Sequence, residues 1–457
     1  MITQARSLHF IGIGGAGMSP LAEVLFRMGH RTSGSDRERS ATTDRLRDLG
    51  IDVQIGHEPD LVRSADMVVF SSAVPKDNPE MVFALNNNIP IARRAEMLGE
   101  LMREKLSIGV SGTHGKTTTT GLVSEIFMYA GKDPTVLVGG VLRKLGTNGR
   151  FGNGDVLIAE ADEYDRSFLC MNPSVAIVTN IEADHLDCYR DYEDIRNSFV
   201  QYVRKLPSYG TLIACADDAG AGSLCGETDA TTITYGIGEN AQYRADDIRD
   251  HDDGVEFTVL KRGKTFGRVN LPLSGLHNVR NATAAIAVSL ELGLDFQTIA
   301  EALMRFEGVS RRFEILAVER GITIVDDYAH HPSEVRATLE AARRKGYKKV
   351  VAVFQPHLYS RTRDFAPEFA AALKLADKAI VTGIYQSREQ PIPGVTGNTI
   401  VEKAQEPPRS DCTYVENMYE VSRRLAPELA EGDAVLLMGA GDIWKIGSGL
   451  REEIENG

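Results

Sequence analysis

Thiols are scarce in this chain: five cysteines (Cys170, Cys188, Cys215, Cys225 and Cys412) stand among 457 residues, and none forms a C-x-x-C pair. An odd number without paired spacing argues against a disulfide framework and for reduced, packing thiols in a cytosolic enzyme. Positive charge is also short. Lys and Arg total 51 against 64 Asp and Glu, a formal charge of −13, which argues against a nucleic-acid backbone as partner because such binding rests on clustered basic residues. No apolar run approaches the ~18–20 residues of a membrane helix. Arg6 followed by Leu8–Met18 has the outline of a signal peptide, but its glycines would break the apolar helix. The expectation is a cytoplasmic protein with neither a nucleic-acid nor a membrane partner. Its anionic ligands must then be held by local devices such as helix N-termini and single basic residues. The length suits about three domains, each with its own core.

The strongest positive signal is GTHGKTT at residues 112–118. Leu106–Val110 reads as a short buried strand, and the residues from Thr117 read as a helix ended by Gly131. Gly112 and Gly115 let backbone N–H groups wrap a polyphosphate, Lys116 reaches its terminal phosphates, and the Thr117 hydroxyl is placed to ligate Mg²⁺. The strict Walker A spacing asks for glycine where Val110 stands, so the match is to a shorter G-T-x-G-K-T form. ATP or a close relative is the expected ligand.

Strand-like and helix-like segments alternate through most of the chain, which implies an α/β protein with parallel sheets. The first block holds strands Leu8–Ile13, Arg31–Ser35, Ile51–Ile55 and Met67–Phe70, with helices Ala16–Met28 and Thr43–Leu49. The second opens with the phosphate loop and continues through Asp155–Glu160, Val175–Asn180 and Thr211–Ala214. Tyr243–Asn270 alternates polar and apolar residues, with Gly254 and Gly263 as turns, and reads as a small antiparallel patch before the helix Leu276–Leu292. The third block, from about Arg311, holds strands Ile322–Val325, Lys349–Phe354, Lys378–Val381 and Ala434–Met438, with helices Ser333–Lys345 and Asp364–Leu375. Linkers are expected near Arg103–Leu106 and Gly308–Arg312, giving domains over 1–105, 106–309 and 310–457.

Residues 12–17 (GIGGAG) fit G-x-G-x-x-G between a strand and a helix, with Asp36 at the end of the next strand where an acid would hold a ribose hydroxyl. The physics of that turn accepts any diphosphate, a nucleotide-sugar as well as a dinucleotide. Two phosphate-binding turns in separate blocks suggest two nucleotides, one activated at Lys116 and one merely held. Acidic residues collect at strand ends, where open α/β sheets bind ligands: Glu160, Asp162 and Glu163 after one strand, Asn180, Asp184, His185 and Asp187 after another. Thr117 and Glu160 fit a Mg²⁺, with His185 a third candidate ligand. In the third block Asp327, Tyr328 and His330 form a candidate catalytic edge. Adjacent His330 and His331 without cysteine do not make a zinc site. Arg361 can hold a carboxylate in bidentate fashion.

Taken with SSAVPKDNPE (71–80), EADE (160–163), TNIEADHLD (179–187), GLHNVRNATAA (275–285), RRFE (311–314), DDYAHHP (326–332), QPHLYSRT (355–362) and PIPGVTG (391–397), these segments resemble the Mur ligases in the family's order over nearly the whole chain. Within that family they are most similar to the branch that joins L-alanine to UDP-N-acetylmuramate. The resemblance implies a Rossmann-like domain for the UDP-sugar, a central P-loop ATPase-like parallel sheet, and a C-terminal Rossmann-like domain for the amino acid. It implies a cytoplasmic role in peptidoglycan precursor synthesis, in a monomer or homodimer. By the same resemblance Gly14, Gly15, Ala16, Gly17, Met18, Asp36, Ser71 and Ser72 hold the UDP-sugar. Gly112, Thr113, His114, Gly115, Lys116, Thr117 and Thr118 hold ATP, with Asn278, Asn281, Arg312 and Asp327. Tyr328, His330, His357 and Arg361 surround L-alanine. Lys116, His185, His330 and Arg361 are the expected catalytic set, served by ATP and Mg²⁺, with two ions during turnover. Leu358 stands where some members carry a basic residue. Residues 192–203 contain no lysine, so the carbamylated lysine of other members is not expected. A sister ligase that recycles murein tripeptide is the nearest alternative. A nicotinamide-dependent dehydrogenase would leave the phosphate loop unexplained, and a non-catalytic ATP switch would leave the acidic edges so.

Overall fold

A computed structural model describes residues 5–185, 188–251, 253–387, 389–407 and 410–456; Asp187, one of the expected edge acids, lies outside them. The chain forms two compact units. The first comprises Met1–Ile248, Glu256–Pro272 and Asn278–Glu307; the second comprises Arg249–Val255, Leu273–His277 and Gly308–Gly457.

The first unit carries two sheets. The N-terminal sheet has five parallel strands in the order Asp52–Ile55, Arg31–Asp36, Ser7–Ile11, Met67–Phe70, Ile91–Arg93. Its first strand is central, so strand order reverses beside the glycine turn that leaves Ile11, the place where open α/β sheets seat ligands. The second sheet has ten strands. Leu106–Ser111 lies between Val156–Glu160 and Val175–Val178, in register Val110 with Glu160 and Ser111 with Val178. The two acid-bearing edges therefore flank the phosphate loop.

The expected antiparallel patch is present as Tyr243–His251, Gly254–Lys261 and Lys264–Leu271, consecutive neighbours at one end of that sheet. Arg262 (φ 49°) and Gly263 (φ 78°) make the tight turn between the last two, both left-handed as a two-residue hairpin demands. Gly254 differs from expectation: it begins a strand. The patch also extends the parallel sheet, through Tyr235 against Tyr243. At the opposite end, Thr135–Leu142 and Thr147–Arg150 form an antiparallel hairpin that periodicity did not mark.

The second unit holds a six-stranded sheet in the order Glu314–Glu319, Ile322–Asp327, Ala434–Met438, Val350–Phe354, Lys378–Thr382, Cys412–Val415. Its first strand is antiparallel and the rest are parallel. Alternation along Val350–Phe354 feeds two cores. Val350, Ala352 and Phe354 pack with Val335 and Leu339 on one face, while Val351 and Val353 pack with Leu450 and Ile454 on the other, as a sheet covered on both sides requires. The helix expected over Asp364–Leu375 is present as Ala366–Leu373, and a short helix that was not expected, Tyr359–Asp364, precedes it, the two divided at Phe365. Pro367 explains the break, since it has no N–H to continue the helical ladder.

A buried polar cluster ties the N-terminal sheet to its helix Pro79–Asn86. Glu80, fully buried, accepts from His9 Nε2 at 2.9 Å, Ser35 Oγ at 2.9 Å and His57 Nδ1 at 2.9 Å. Burial alone would raise the carboxyl, but the bonds from His9, Ser35 and His57 outweigh it and hold it below the ordinary carboxylate range. A depressed carboxyl stabilises the fold above its unfolded pKa and loses that contribution as pH falls through the folded value. Glu80→Ala should therefore destabilise by roughly 2–4 kcal/mol in urea denaturation at neutral pH, and Glu80→Gln should flatten the loss of stability between neutral and acid pH.

Candidate active site

The loop after Leu106–Ser111 is built on backbone that other residues cannot adopt. Gly112 has φ +130° and a Cβ there would sit 2.0 Å from Thr179 Oγ1; Gly115 has φ +82° and its Cβ would meet Asn281 Oδ1 at 2.6 Å. Both glycines are required by torsion and by space. The loop is stitched to the next strand's edge. Thr113 N–H donates to the Asn180 carbonyl (3.0 Å), His114 N–H to Asn180 Oδ1 (2.9 Å), and Thr179 Oγ1 to the His114 carbonyl (2.6 Å). Gly115 caps the helix Lys116–Tyr129 without a side-chain bond, which leaves the first N–H groups to a phosphate. Thr118 is buried in that first turn.

Lys116 Nζ donates to the carbonyls of Gly112 (2.7 Å) and Thr113 (3.1 Å) and to both oxygens of Glu163 (2.9 and 2.8 Å). Burial by itself would lower its pKa, but the carboxylates of Glu163, Asp162 and Glu160 prevail and push it above the ordinary lysine value. The charged ammonium is thus favoured at the mouth of the loop. Thr117 Oγ1 donates to Glu160 Oε1 at 3.2 Å, while Glu160 Oε2 accepts from Gly139 N–H at 2.8 Å.

Thr117 and Glu160, the pair expected on a first Mg²⁺, bond each other, while His185, the third candidate ligand, stands elsewhere. His185 joins Asp162 and Glu163, their donor atoms all lying within 4.8 Å of one another. Its Nε2 is 3.7 Å from Glu163 and 3.8 Å from Asp184. The reason is backbone: Glu160 ends its strand pointing toward Gly139 and Thr117, and Glu163, three residues on, reaches Lys116 and the His185 edge. A hydroxyl with a carboxylate is a hard oxygen set, which suits Mg²⁺. Asn278 and Asn281 share the helix Leu276–Glu291 and bond each other at 3.3 Å, with Asn281 against Gly115.

At the N-terminal sheet, Gly12 (φ 74°) turns the chain after Ile11, and Gly12 and Ile13 N–H groups donate to the Ser35 carbonyl. Gly15 accepts from Met18 and Ser19 as the helix Met18–Arg27 begins, with Gly17 as its cap. Asp36 holds this turn itself: its Oδ2 accepts from Gly14 N–H at 2.8 Å, and a Cβ on Gly14 would sit 2.9 Å from that oxygen. One of its carboxylate oxygens thus helps shape the turn. Ala16 is tied to the neighbouring sheet by Asn148 Nδ2 at 2.5 Å. Ser71 and Ser72 follow the strand Met67–Phe70, and the Ser71 carbonyl accepts from Val74.

The second unit gathers the other expected residues. Asp327, Met438 and Phe354 are in register on adjacent strands, so the segments after Asp327 and Phe354 emerge at one edge. The Tyr328 and His330 rings are 5.3 Å apart, His330 and His357 5.8 Å, and Arg361 Nη1 lies 3.3 Å from His357 Nδ1. Arg361 is buried. His330 Nδ1 faces the Tyr328 carbonyl (3.0 Å) and Glu334 (3.2 Å), both acceptors, which puts a proton on Nδ1. Leu358 is buried at φ +69°, a left-handed torsion that is costly for a side chain of its shape. Arg312 lies over the Tyr328 ring at 5.4 Å. Asp327, expected beside ATP, accepts from Phe313 and Ala329 N–H groups at 2.8 Å each, so both of its oxygens shape the local chain. Burial raises its carboxyl against the pull of Arg312. Sequence reasoning placed Glu163 at an acid-bearing strand end without its partner Lys116, and missed Thr179 and Glu334 as site residues; both lie inside or next to a quoted motif, but their hydrogen bonds to His114 and His330 depend on the fold.

Three family models match in order: "Mur ligase family, catalytic domain" over residues 7–106, "Mur ligase middle domain" over 110–289, and "Mur ligase, glutamate ligase domain" over 311–441. The chain belongs to the Mur ligase family. It is similar to a UDP-N-acetylmuramate–L-alanine ligase of Salinibacter ruber, 46% identical over 99% of this chain and 95% of that protein. Another so named, from Geotalea uraniireducens, is 43% identical over 100% and 99%. Among solved structures it resembles a UDP-N-acetylmuramate–alanine ligase of Thermotoga maritima (33% identity, TM-score 0.83, 98% and 99% coverage). It also resembles a murein peptide ligase of Psychrobacter arcticus (26%, 0.72, 99% and 99%).

The loop geometry yields a direct test. Gly112→Ala forces a Cβ into Thr179, so the variant should lose the thermal protection that ATP gives the wild type, with its unliganded midpoint falling as the loop shifts to relieve the clash. Undiminished protection in a thermal-shift titration would contradict the assignment.

Proposed function

We propose that this chain joins L-alanine to the lactyl carboxylate of UDP-N-acetylmuramate, converting ATP to ADP and phosphate. The observation that carries the reading is a half-buried lysine, ion-paired to Glu163, on a phosphate loop flanked by two acid-bearing strand ends, in the same unit as a second, diphosphate-type glycine turn. The higher identity to alanine-adding relatives than to the murein peptide ligase favours alanine over tripeptide recycling.

A carboxylate cannot expel O²⁻, so it must first gain a leaving group. A carboxylate oxygen attacks the γ-phosphorus, the bond to the β–γ bridging oxygen breaks, ADP leaves, and an acyl phosphate forms. The neutral amine of alanine then attacks the carbonyl carbon, loses a proton to His330 Nε2, and phosphate departs. The first step depends on positioning and charge neutralisation more than on covalent help. Lys116 supplies fixed positive charge at the phosphates, and the N–H groups of residues 112–118 orient them. Thr117 and Glu160 would hold one Mg²⁺ and the Asp162–Glu163–His185 group a second, adding charge neutralisation there. Arg361, beside His357, takes the alanine carboxylate, and Tyr328 and His330 line the amine side. Asn278, Asn281 and Arg312 contact ATP. Gly14, Gly15, Ala16, Gly17, Met18, Ser71 and Ser72 receive the UDP-sugar. We assign the three domains to residues 1–105, 106–309 and 310–457, and the setting to cytoplasmic peptidoglycan precursor synthesis. Among the described residues no helix is long and apolar enough to cross a membrane.

ADP release measured with UDP-N-acetylmuramate across a panel of amino acids should be stimulated by L-alanine; equal release without any amino acid would overturn the reading. Lys116→Ala should lower kcat about 10²–10³-fold with far-ultraviolet circular dichroism unchanged. Arg361→Lys keeps the charge but loses the fork, and should raise the KM for L-alanine about tenfold with the KM for ATP unmoved.

A further inference from the structure

Arg94 begins the helix Arg94–Met102 in a half-buried position. Its side chain lies flat against Gly17: a Cβ on that glycine would sit 3.0 Å from Arg94 Cδ, 3.1 Å from Nε and 3.2 Å from Cζ. The guanidinium has no hydrogen-bond or ion-pair partner among the described residues, which sets it apart from Arg27 and Arg45 on the nearby Glu23. It lines a cavity of about 250 Å³. Leu98 and Leu137 supply apolar wall, and Glu160 and Asp162 stand beyond ion-pair distance of the arginine. One cation is thus held at the glycine-turn end of the cavity and two carboxylates at the phosphate-loop end. A half-buried arginine whose five donors meet no partner among the described residues is placed to receive an anion from the cavity.

We propose that Arg94 is a positioning residue for the acid substrate, gripping its diphosphate through paired guanidinium N–H bonds above Gly17. This rests on the UDP-sugar reading given above. The diphosphate is favoured over the lactyl carboxylate because the arginine packs on the glycine turn itself, whereas the carboxylate must meet the γ-phosphate at the Glu160 end. The cavity between then seats the sugar, its methyl groups against Leu98 and Leu137. Gly17 is glycine for the same reason: a larger residue would displace the arginine.

The test is binding by calorimetry of UDP-N-acetylmuramate, UDP and ADP to the full-length protein as wild type, Arg94→Ala and Arg94→Lys. Loss of one charge-assisted grip corresponds to a weakening of about 10–100-fold. Arg94→Ala should show that loss for UDP-N-acetylmuramate and for UDP alike, Arg94→Lys should recover part of it, and ADP should bind all three proteins equally, which certifies the fold. In turnover the KM for the UDP-sugar should rise by the same factor with kcat within a few-fold. Wild-type affinity in Arg94→Ala, or loss confined to UDP-N-acetylmuramate with UDP unaffected, would overturn the proposal. Absence of UDP-N-acetylmuramate binding in the wild type would instead overturn the functional reading beneath it.

Discussion

The structure turns on the fastening of the phosphate loop to its neighbouring strand. Thr179 and Asn180 bond the backbone of Thr113 and His114 from both sides, and two glycines accept torsions that leave no room for a side chain. Because that loop is locked, the N-terminal end of the helix Lys116–Tyr129 has one position, and so do Lys116, Thr117 and the carboxylates they meet. Pre-set donors need no rearrangement as charge develops, which is why such a loop can act as a catalyst of phosphoryl transfer.

A chain with net charge −13 holds its anions by local design. At the phosphate loop a half-buried lysine has its cationic form favoured by three carboxylates on the following strand end. At the glycine turn a half-buried arginine faces a cavity with no ion-pair partner among the described residues, the Glu160 and Asp162 carboxylates lining the cavity's other end. In the second unit Arg361 is buried beside His357. In each place shielding from water raises the worth of one positive charge, so overall acidity is no obstacle to binding nucleotides and carboxylates.

The second unit shows topology doing similar work. The late strand Ala434–Met438 inserts between Ile322–Asp327 and Val350–Phe354, and its register aligns the ends of all three. Two segments far apart in sequence therefore deliver Tyr328 and His330, His357 and Arg361, to one edge. Asp327 and Glu334 brace the backbone around them by accepting N–H bonds.

Much of this was legible from residue order. Gly-Lys-Thr at a strand-to-helix junction, alternating elements and acids at strand ends are local patterns, so the α/β class, the phosphate loop and most strands could be read directly. Metal grouping, the Asp36 clamp on Gly14, the engagement of Glu163 by Lys116 and the exposure of Arg94 to a cavity could not. Each depends on which strands lie side by side and on the rotation of a side chain at a strand end, and both are set by packing across tens to hundreds of residues. By itself the sequence determined the chemistry available and the turns that must be glycine. Tertiary structure alone decided which charges meet, because a carboxylate's partner is chosen by spatial neighbourhood and burial, and neither is written in the spacing of one segment.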